Sequence, residues 1–359
     1  MQNIKLSGFL FIVFLALSFG MAVFYMPKGW ENVENPTRES IMVGTWTPDF
    51  EKSLNESLPV FEPSRNLWGK IQYLLFGQGR KGVVVGENGW LFTDEEFSCL
   101  PSSLQHMAEN LDYVAQVKNM IEGRGAKLHV VLVPAKARVY EEHLGRNKIT
   151  QCRKDVYSDV LSFMKSNEIT VTGLLDGIKS HKNKDTLFLK SDTHWTPEGA
   201  GFAAELVAKD FNLSGEIVKK SYVTEHTQNI EHEGDLLRYL PGVSDEVIRP
   251  DHLSVYKTEE VHAEDGAEVS ESLDLFGDDV PPVTLVGTSY SANSKWHFAE
   301  FLKGRLQVDV FNAADEGLGP FAVMKTYLGG NAWKNSMPSI VIWEIPERYV
   351  VVDQSQKEK

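Results

Sequence analysis

Residues 286–291 read Val286-Gly287-Thr288-Ser289-Tyr290-Ser291, directly after the apolar run Val283-Thr284-Leu285 and directly before a helical pattern. A serine on a tight strand-to-helix turn projects its hydroxyl outward. The N–H groups and positive end of the helix then face the oxyanion that forms when that hydroxyl attacks a carbonyl. Gly287 lets the turn be tight. Alone the pattern is weak, because Gly and Ser are ordinary turn and cap residues. It gains weight from a second segment, Ser191-Asp192-Thr193-His194-Trp195, which follows the apolar Leu187-Phe188-Leu189, read as a strand. An Asp two residues before a His can hold its carboxylate against Nδ1–H while Nε2 faces outward to take a proton. Ser289, His194 and Asp192 together have the residue types of an acyl-transfer nucleophile, base and orienter. The competing reading makes Asp192 and His194 a helix-cap cluster or a pair of metal ligands. No third ligand stands at a fixed short spacing, His297 reads as facing solvent, and no metal is expected.

These residues need elements to position them, and the sequence supplies an alternation of strand and helix. Val83-Val84-Val85 and Trp90-Leu91-Phe92 flank Glu87-Asn88-Gly89 as in a β-hairpin. Leu104, Met107, Leu111, Val114, Val117 and Ile121 recur at helical spacing, and 128–133 follow as a buried strand. A helix is expected over 156–164, a short strand at 169–171, and a helix that Thr196 caps and Pro197 opens. Late in the chain, strands at 283–286, 306–311 and 340–345 alternate with helices at 292–302 and 321–328. The pattern predicts an α/β fold with a mostly parallel central sheet flanked by helices. Both reactive segments then lie outside the carboxyl ends of strands, where open parallel sheets bind ligands.

The body expected over 67–352 is preceded by two other regions. Leu6 to Met26 is an apolar run long enough to cross a bilayer. A cleaved signal peptide would have a shorter apolar core and a small-residue cleavage site, so 1–27 reads as an uncleaved signal anchor. Its flanking charges favour an exported body. Residues 28–66, polar and rich in proline, read as a linker. Residues 213–282 read as an irregular acidic insert, with no Lys or Arg between Thr258 and Val280, and 353–359 as a charged tail. The formal net charge of −14 argues against a nucleic-acid partner. The two cysteines, Cys99 and Cys152, fall in the exported part, where an oxidising compartment permits a disulfide.

Several stretches taken in order carry a resemblance: Gly82-Val83-Val84-Val85-Gly86, Gly89 to Phe97, Val133-Pro134-Ala135-Lys136-Ala137-Arg138, Asp192-Thr193-His194-Trp195, Gly287-Thr288-Ser289-Tyr290-Ser291, and Ile342 to Tyr349. The set resembles the AlgJ/AlgX-type alginate O-acetyltransferases, in the shorter, membrane-anchored AlgJ form. The resemblance implies an SGNH-hydrolase-like domain in which Ser289 is the nucleophile, His194 the base and Asp192 its orienter. It implies acetylation of an exported polysaccharide, alginate or another polyuronate, in the periplasm. The acetyl donor would come from outside, through an MBOAT-type membrane partner, with other secretion subunits nearby, and no cofactor would be bound.

Around that site the expected oxyanion donors are the Ser289 N–H and the 312–319 loop, Gly319 above all. Lys136, Arg138 and Arg348 could meet uronate carboxylates, with structural ion pairs as the competing reading. Tyr290, Trp90 and Trp195 could stack on sugar rings, though buried packing fits each better. Two rival functions remain open: a carbohydrate acetylesterase using the same three residues, and a non-catalytic polysaccharide-binding subunit.

Overall fold

The computed structural model describes residues 2–211, 219–243, 247–261, 280–335 and 337–354. These fall into two compact units: residues 1–78 with 240–244, and 79–239 with 245–359.

The first unit is helical. Gln2–Glu31 is one helix, and Leu6–Glu31 within it is long and apolar enough to cross a membrane. Residues 28–66, read as a linker, instead contain helices at Arg38–Val43, Trp46–Ser57 and Phe61–Ile71. The prolines that suggested irregular chain sit where helices tolerate them. Pro48 and Pro63 lie in first turns, whose N–H groups have no intrahelical acceptor anyway. Thr37 and Ser40 exchange reciprocal hydrogen bonds as a capping box. Ser53 donates to the Gly29 carbonyl (2.7 Å), and a Cβ at Gly29 would stand 2.9 Å from the Leu54 Cα, so two helices meet here at a glycine.

Among the described residues, the second unit has nine strands: β1 (Val83–Val85), β2 (Leu91–Thr93), β3 (Lys127–Val133), β4 (Thr170–Gly173), β5 (Tyr222–His232), β6 (Asp251–Glu260), β7 (Val283–Val286), β8 (Val310–Asn312) and β9 (Ile340–Pro346). The central sheet runs β4-β3-β9-β7-β8, parallel throughout. Because both faces are covered, its strands alternate between two apolar clusters. Val131 and Val133 pack with Trp90, Trp195, Ala203, Tyr290 and Leu302, whereas Val130 and Leu132 pack with Val114, Ile121, Val160, Phe321 and Trp343. The expected α/β architecture is present, and β1 pairs with β2 as the anticipated hairpin.

Three segments depart from the sequence expectation. Leu187-Phe188-Leu189 joins no sheet: Leu187 closes a 3-10 turn with helical-region backbone, and the segment makes a single bridge, Phe188 to Trp195. The helix expected over 292–302 is broken: Ser289–Ala292 ends at Asn293, whose backbone is extended, and Phe298–Leu306 begins only after His297, which adopts φ 57°. The 213–282 stretch, read as irregular, carries the long antiparallel pair β5–β6, whose largely exposed faces lack the apolar alternation that betrays a half-buried strand. Most of its acidic residues, and the 355–359 end of the tail, lie outside the described residues. Cys99 and Cys152 are joined in a disulfide, with Cα atoms 6.2 Å apart.

Candidate active site

The carboxyl end of β7 delivers Val286 and the turn that follows. Thr288 caps the short Ser289–Ala292 helix, leaving Ser289 partly exposed as its first residue. The turn is held from beneath by Glu344 of β9, which is fully buried. Its Oε2 accepts from the Thr288 N–H (2.7 Å) and from the Ser291 hydroxyl (3.0 Å), and the Thr288 hydroxyl donates to the same carboxylate at 3.1 Å. Burial pushes the Glu344 carboxyl up, against the downward pull of these donors and of Arg348. From β8, Asn312 Nδ2 donates to the Ser291 carbonyl (2.8 Å). A Cβ at Gly287 would lie 2.5 Å from Glu344 Oε2 and 2.9 Å from Ser291 Oγ, so the requirement for glycine here is one of space.

His194 approaches from the other side. Its Nε2 is 2.7 Å from Ser289 Oγ, and its Nδ1 is 2.6 Å from Asp192 Oδ1. Burial alone would push the Asp192 carboxyl up, but hydrogen bonds from His194 and His232 outweigh it and hold the group well below the usual carboxylate range. Asp192 is therefore an acceptor only, so His194 must carry its proton on Nδ1, and Nε2 is the acceptor that faces the serine hydroxyl. The imidazole stacks on the Trp296 indole (centroids 5.1 Å apart, 21° between planes), which limits its rotation. This is the arrangement acyl transfer requires: a reachable hydroxyl, a base in contact with it, and a buried carboxylate behind the base.

The loop that carries this pair is anchored at almost every residue. Asp251, at the start of β6, accepts from the N–H groups of Lys190 and Ser191 and from the Ser191 hydroxyl. Asp235 accepts from the Thr193 N–H (2.9 Å) and hydroxyl (2.7 Å). Tyr290 donates its hydroxyl to the Thr193 carbonyl at 2.5 Å, tying the Ser289 helix to the His194 loop. Asp192, His194 and Asp235 bring three ligand-type atoms within 4.8 Å of one another. All three residues are engaged in the hydrogen bonds just described, which make the cluster an orienting network.

The cations expected to hold glycan do something else. Lys136 is 1% exposed, and its Nζ donates to the carbonyls of Leu91 (2.6 Å), Lys190 (2.9 Å) and Asp192 (2.9 Å). Burial pushes its ammonium down to about 8, against the pull of Glu96 and three aspartates. Arg138 is buried against Glu347 and the carbonyls of Arg153 and Lys154. Arg348 is buried too, donating to Tyr290 Oη (3.2 Å) and pairing with Glu95. These residues brace the site from behind, since a long cation taken out of water must spend its donors on protein oxygens. Tyr290, Trp90 and Trp195 are likewise buried packing residues. Gly319 opens the Pro320–Gly329 helix at φ 79°. In its loop, Ala313 and Asp315 donate to the carbonyls of Leu285 and Gly287, beside the Asn312 bond to Ser291. His297 begins the Phe298–Leu306 helix and accepts from the Tyr256 N–H (3.3 Å).

Sequence reasoning missed His232, Asp235, Asp251 and Glu344. None shares a local motif with the residue it supports; Asp192 and His232 are 40 positions apart and Thr288 and Glu344 are 56 apart. The Ile342 to Tyr349 stretch marked the neighbourhood of Glu344 without revealing its role.

Comparison with known proteins finds relatives over most of the chain. Residues 83–347 match the family described as SGNH hydrolase-like domain, acetyltransferase AlgX. The probable alginate O-acetylase AlgJ of Pseudomonas syringae pv. tomato is 35% identical over 349 residues, 94% of this chain and 88% of the relative. Its namesake in Pseudomonas aeruginosa is 38% identical over 308 residues, covering 84% and 78%. The solved O-acetyltransferase domain of Pseudomonas putida AlgJ superposes with a TM-score of 0.68 at 35% identity, covering 77% of this chain and 95% of that one.

Two outcomes follow from the geometry. Gly287→Ala forces the turn away from Glu344 and should lower the rate of nitrophenyl acetate cleavage about a hundredfold, the scale of a misplacement near 1 Å; an unchanged rate would contradict the clamp. Asp192 has a depressed pKa in the fold, so its stabilising effect is present above the unfolded value of about 4 and is lost as pH falls towards the folded one. In urea unfolding, Asp192→Asn should therefore be destabilised relative to wild type at neutral pH. That deficit should shrink below about pH 4.

Proposed function

The chain belongs to the AlgJ/AlgX family of SGNH-hydrolase-like O-acetyltransferases, and on that premise we propose that it acetylates hydroxyls of an exported polyuronate, alginate, through an acyl-enzyme on Ser289. The observation that carries the reading is the unbroken contact from Asp192 through His194 to Ser289. In the first half-reaction Ser289 Oγ attacks the acetyl carbonyl of the donor while His194 Nε2 takes the hydroxyl proton. The tetrahedral oxyanion meets the N–H of Ser289 at the start of its helical turn. His194 then returns the proton to the leaving group, and the acetyl group stays on Ser289.

In the second half, a sugar hydroxyl replaces the donor. His194 removes its proton, the sugar oxygen attacks the acyl carbonyl, and Ser289 leaves with the proton. No cofactor enters either half. The Leu6–Glu31 helix supports a single-pass inner-membrane anchor with the catalytic domain in the periplasm. Such a tether suits a donor delivered across the membrane by an MBOAT-type partner, among other polysaccharide secretion subunits.

Transfer and hydrolysis share every step up to the acyl-enzyme, so the acceptor decides between them. The protein incubated with an acetyl ester donor and uronic-acid oligomers should add acetyl groups to the oligomers, read as mass gains. His194→Ala and Ser289→Ala should each abolish the gain, with losses of about ten thousandfold or more because such groups act as a unit. Removal of acetyl groups alone would overturn the transferase reading in favour of an esterase. No ester chemistry in the wild type would favour a glycan-binding subunit.

A further inference from the structure

Asp192 carries two imidazoles. Its Oδ1 accepts from His194, through Nδ1 at 2.6 Å and the backbone N–H at 3.0 Å. Its Oδ2 accepts from His232 Nε2 at 2.8 Å and from the Asp235 N–H at 3.0 Å. His232 is the last residue of β5, is 8% exposed, and has no part in the acyl-transfer steps. Its ring stands edge-on to Trp296 (5.6 Å, 85°), the same indole on which His194 stacks. Its cross-strand neighbour is Asp251, which holds Ser191.

We infer that His232 is a positioning residue for the transfer reaction: its Nε2–H fixes the plane of the Asp192 carboxylate so that Oδ1 stays aimed at His194. The inference rests on the Ser289 acyl-enzyme reading. A carboxylate can rotate about χ2, and a rotated Asp192 would present a different lone pair to the imidazole and loosen the base from Ser289. Three features oppose that rotation. The Asp235 N–H holds Oδ2 from the backbone, the His232 side chain holds it from a second direction, and Trp296 fixes the His232 ring. Because Asp192 is held ionised, it can only accept, which assigns the His232 proton to Nε2. Asp192 and His232 lie in separate segments, so β5–β6 becomes part of the catalytic apparatus through this bond.

The test uses the full-length protein in detergent micelles with nitrophenyl acetate as acyl donor. His232→Leu should lower kcat about ten- to a hundredfold, as when an outer hydrogen bond that orients an active-site ligand is removed, with KM unchanged. His232→Gln, whose amide can donate from a similar position, should regain most of the loss. Wild-type kcat in His232→Leu would overturn the inference, as would equal losses in the two variants at equal melting temperature. If His232→Leu does not fold, wild-type protein with isotope-labelled histidine decides. A protonated Nε2 on His232 at neutral pH supports the bond, and a bare Nε2 overturns it. Ser289→Ala is run in parallel. Full activity there would sink the acyl-enzyme reading itself, whereas an inactive Ser289→Ala beside a fully active His232→Leu would sink the inference alone.

Discussion

A carboxylate taken out of water must find donors for both of its oxygens, and at Asp192 those donors come from separate stretches of chain. His194 supplies two from the adjacent loop, Asp235 one from the start of a short helical turn, and His232 one from the end of β5. A buried ion left short of partners would protonate or drive the loop apart. Here the partners more than offset burial, and the group stays charged. Much else in the site depends on that charge. It fixes the His194 tautomer, turns Nε2 towards Ser289, and would give an imidazolium formed in the proposed transfer a counter-charge. It also ties β5–β6, whose faces are mostly exposed, to the Asp192–His194 pair through His232.

The nucleophile half is held by a second buried carboxylate of opposite tendency. Burial raises Glu344, and its bonds are short-range contacts with Thr288 and Ser291 in the turn itself. The space it occupies is the space a side chain at residue 287 would need. The two halves meet where Tyr290 reaches Thr193, with Arg348 donating to the same hydroxyl and Lys136 drawing in the Asp192 carbonyl. Lys136 and Arg348 therefore act on the site through the loops they hold.

How much of this was legible in the chain depends on the distance over which each residue acts. Asp192 and His194 sit in one short motif, and Ser289 follows a strand whose apolar run is plain, so local pattern sufficed. The parallel sheet was readable for the same reason, since strands covered on both faces are continuous apolar runs. Pro48 and Pro63 misled because a proline in a helix's first turn looks, in sequence, like one in a loop. The polar β5–β6 pair carries no period-two apolar signal. Lys136, Arg138 and Arg348 drew attention as cations in matching motifs, but whether a cation faces ligand or lies buried against carbonyls is decided by tertiary packing. His232 had no local signature, the stretch around Glu344 gave no hint of its role, and only the fold brings the two to Asp192 and to the Ser289 turn.

The central claim is that Ser289 carries the acetyl group between donor and glycan. Its most direct test is peptide mass mapping of the protein quenched during reaction with an acetyl ester, before and after adding uronic-acid oligomers. The account predicts a single acetyl group on the peptide containing Ser289, discharged when the oligomers arrive. Transfer to the oligomers with Ser289 never acetylated, or with the acetyl group on another residue, would contradict it.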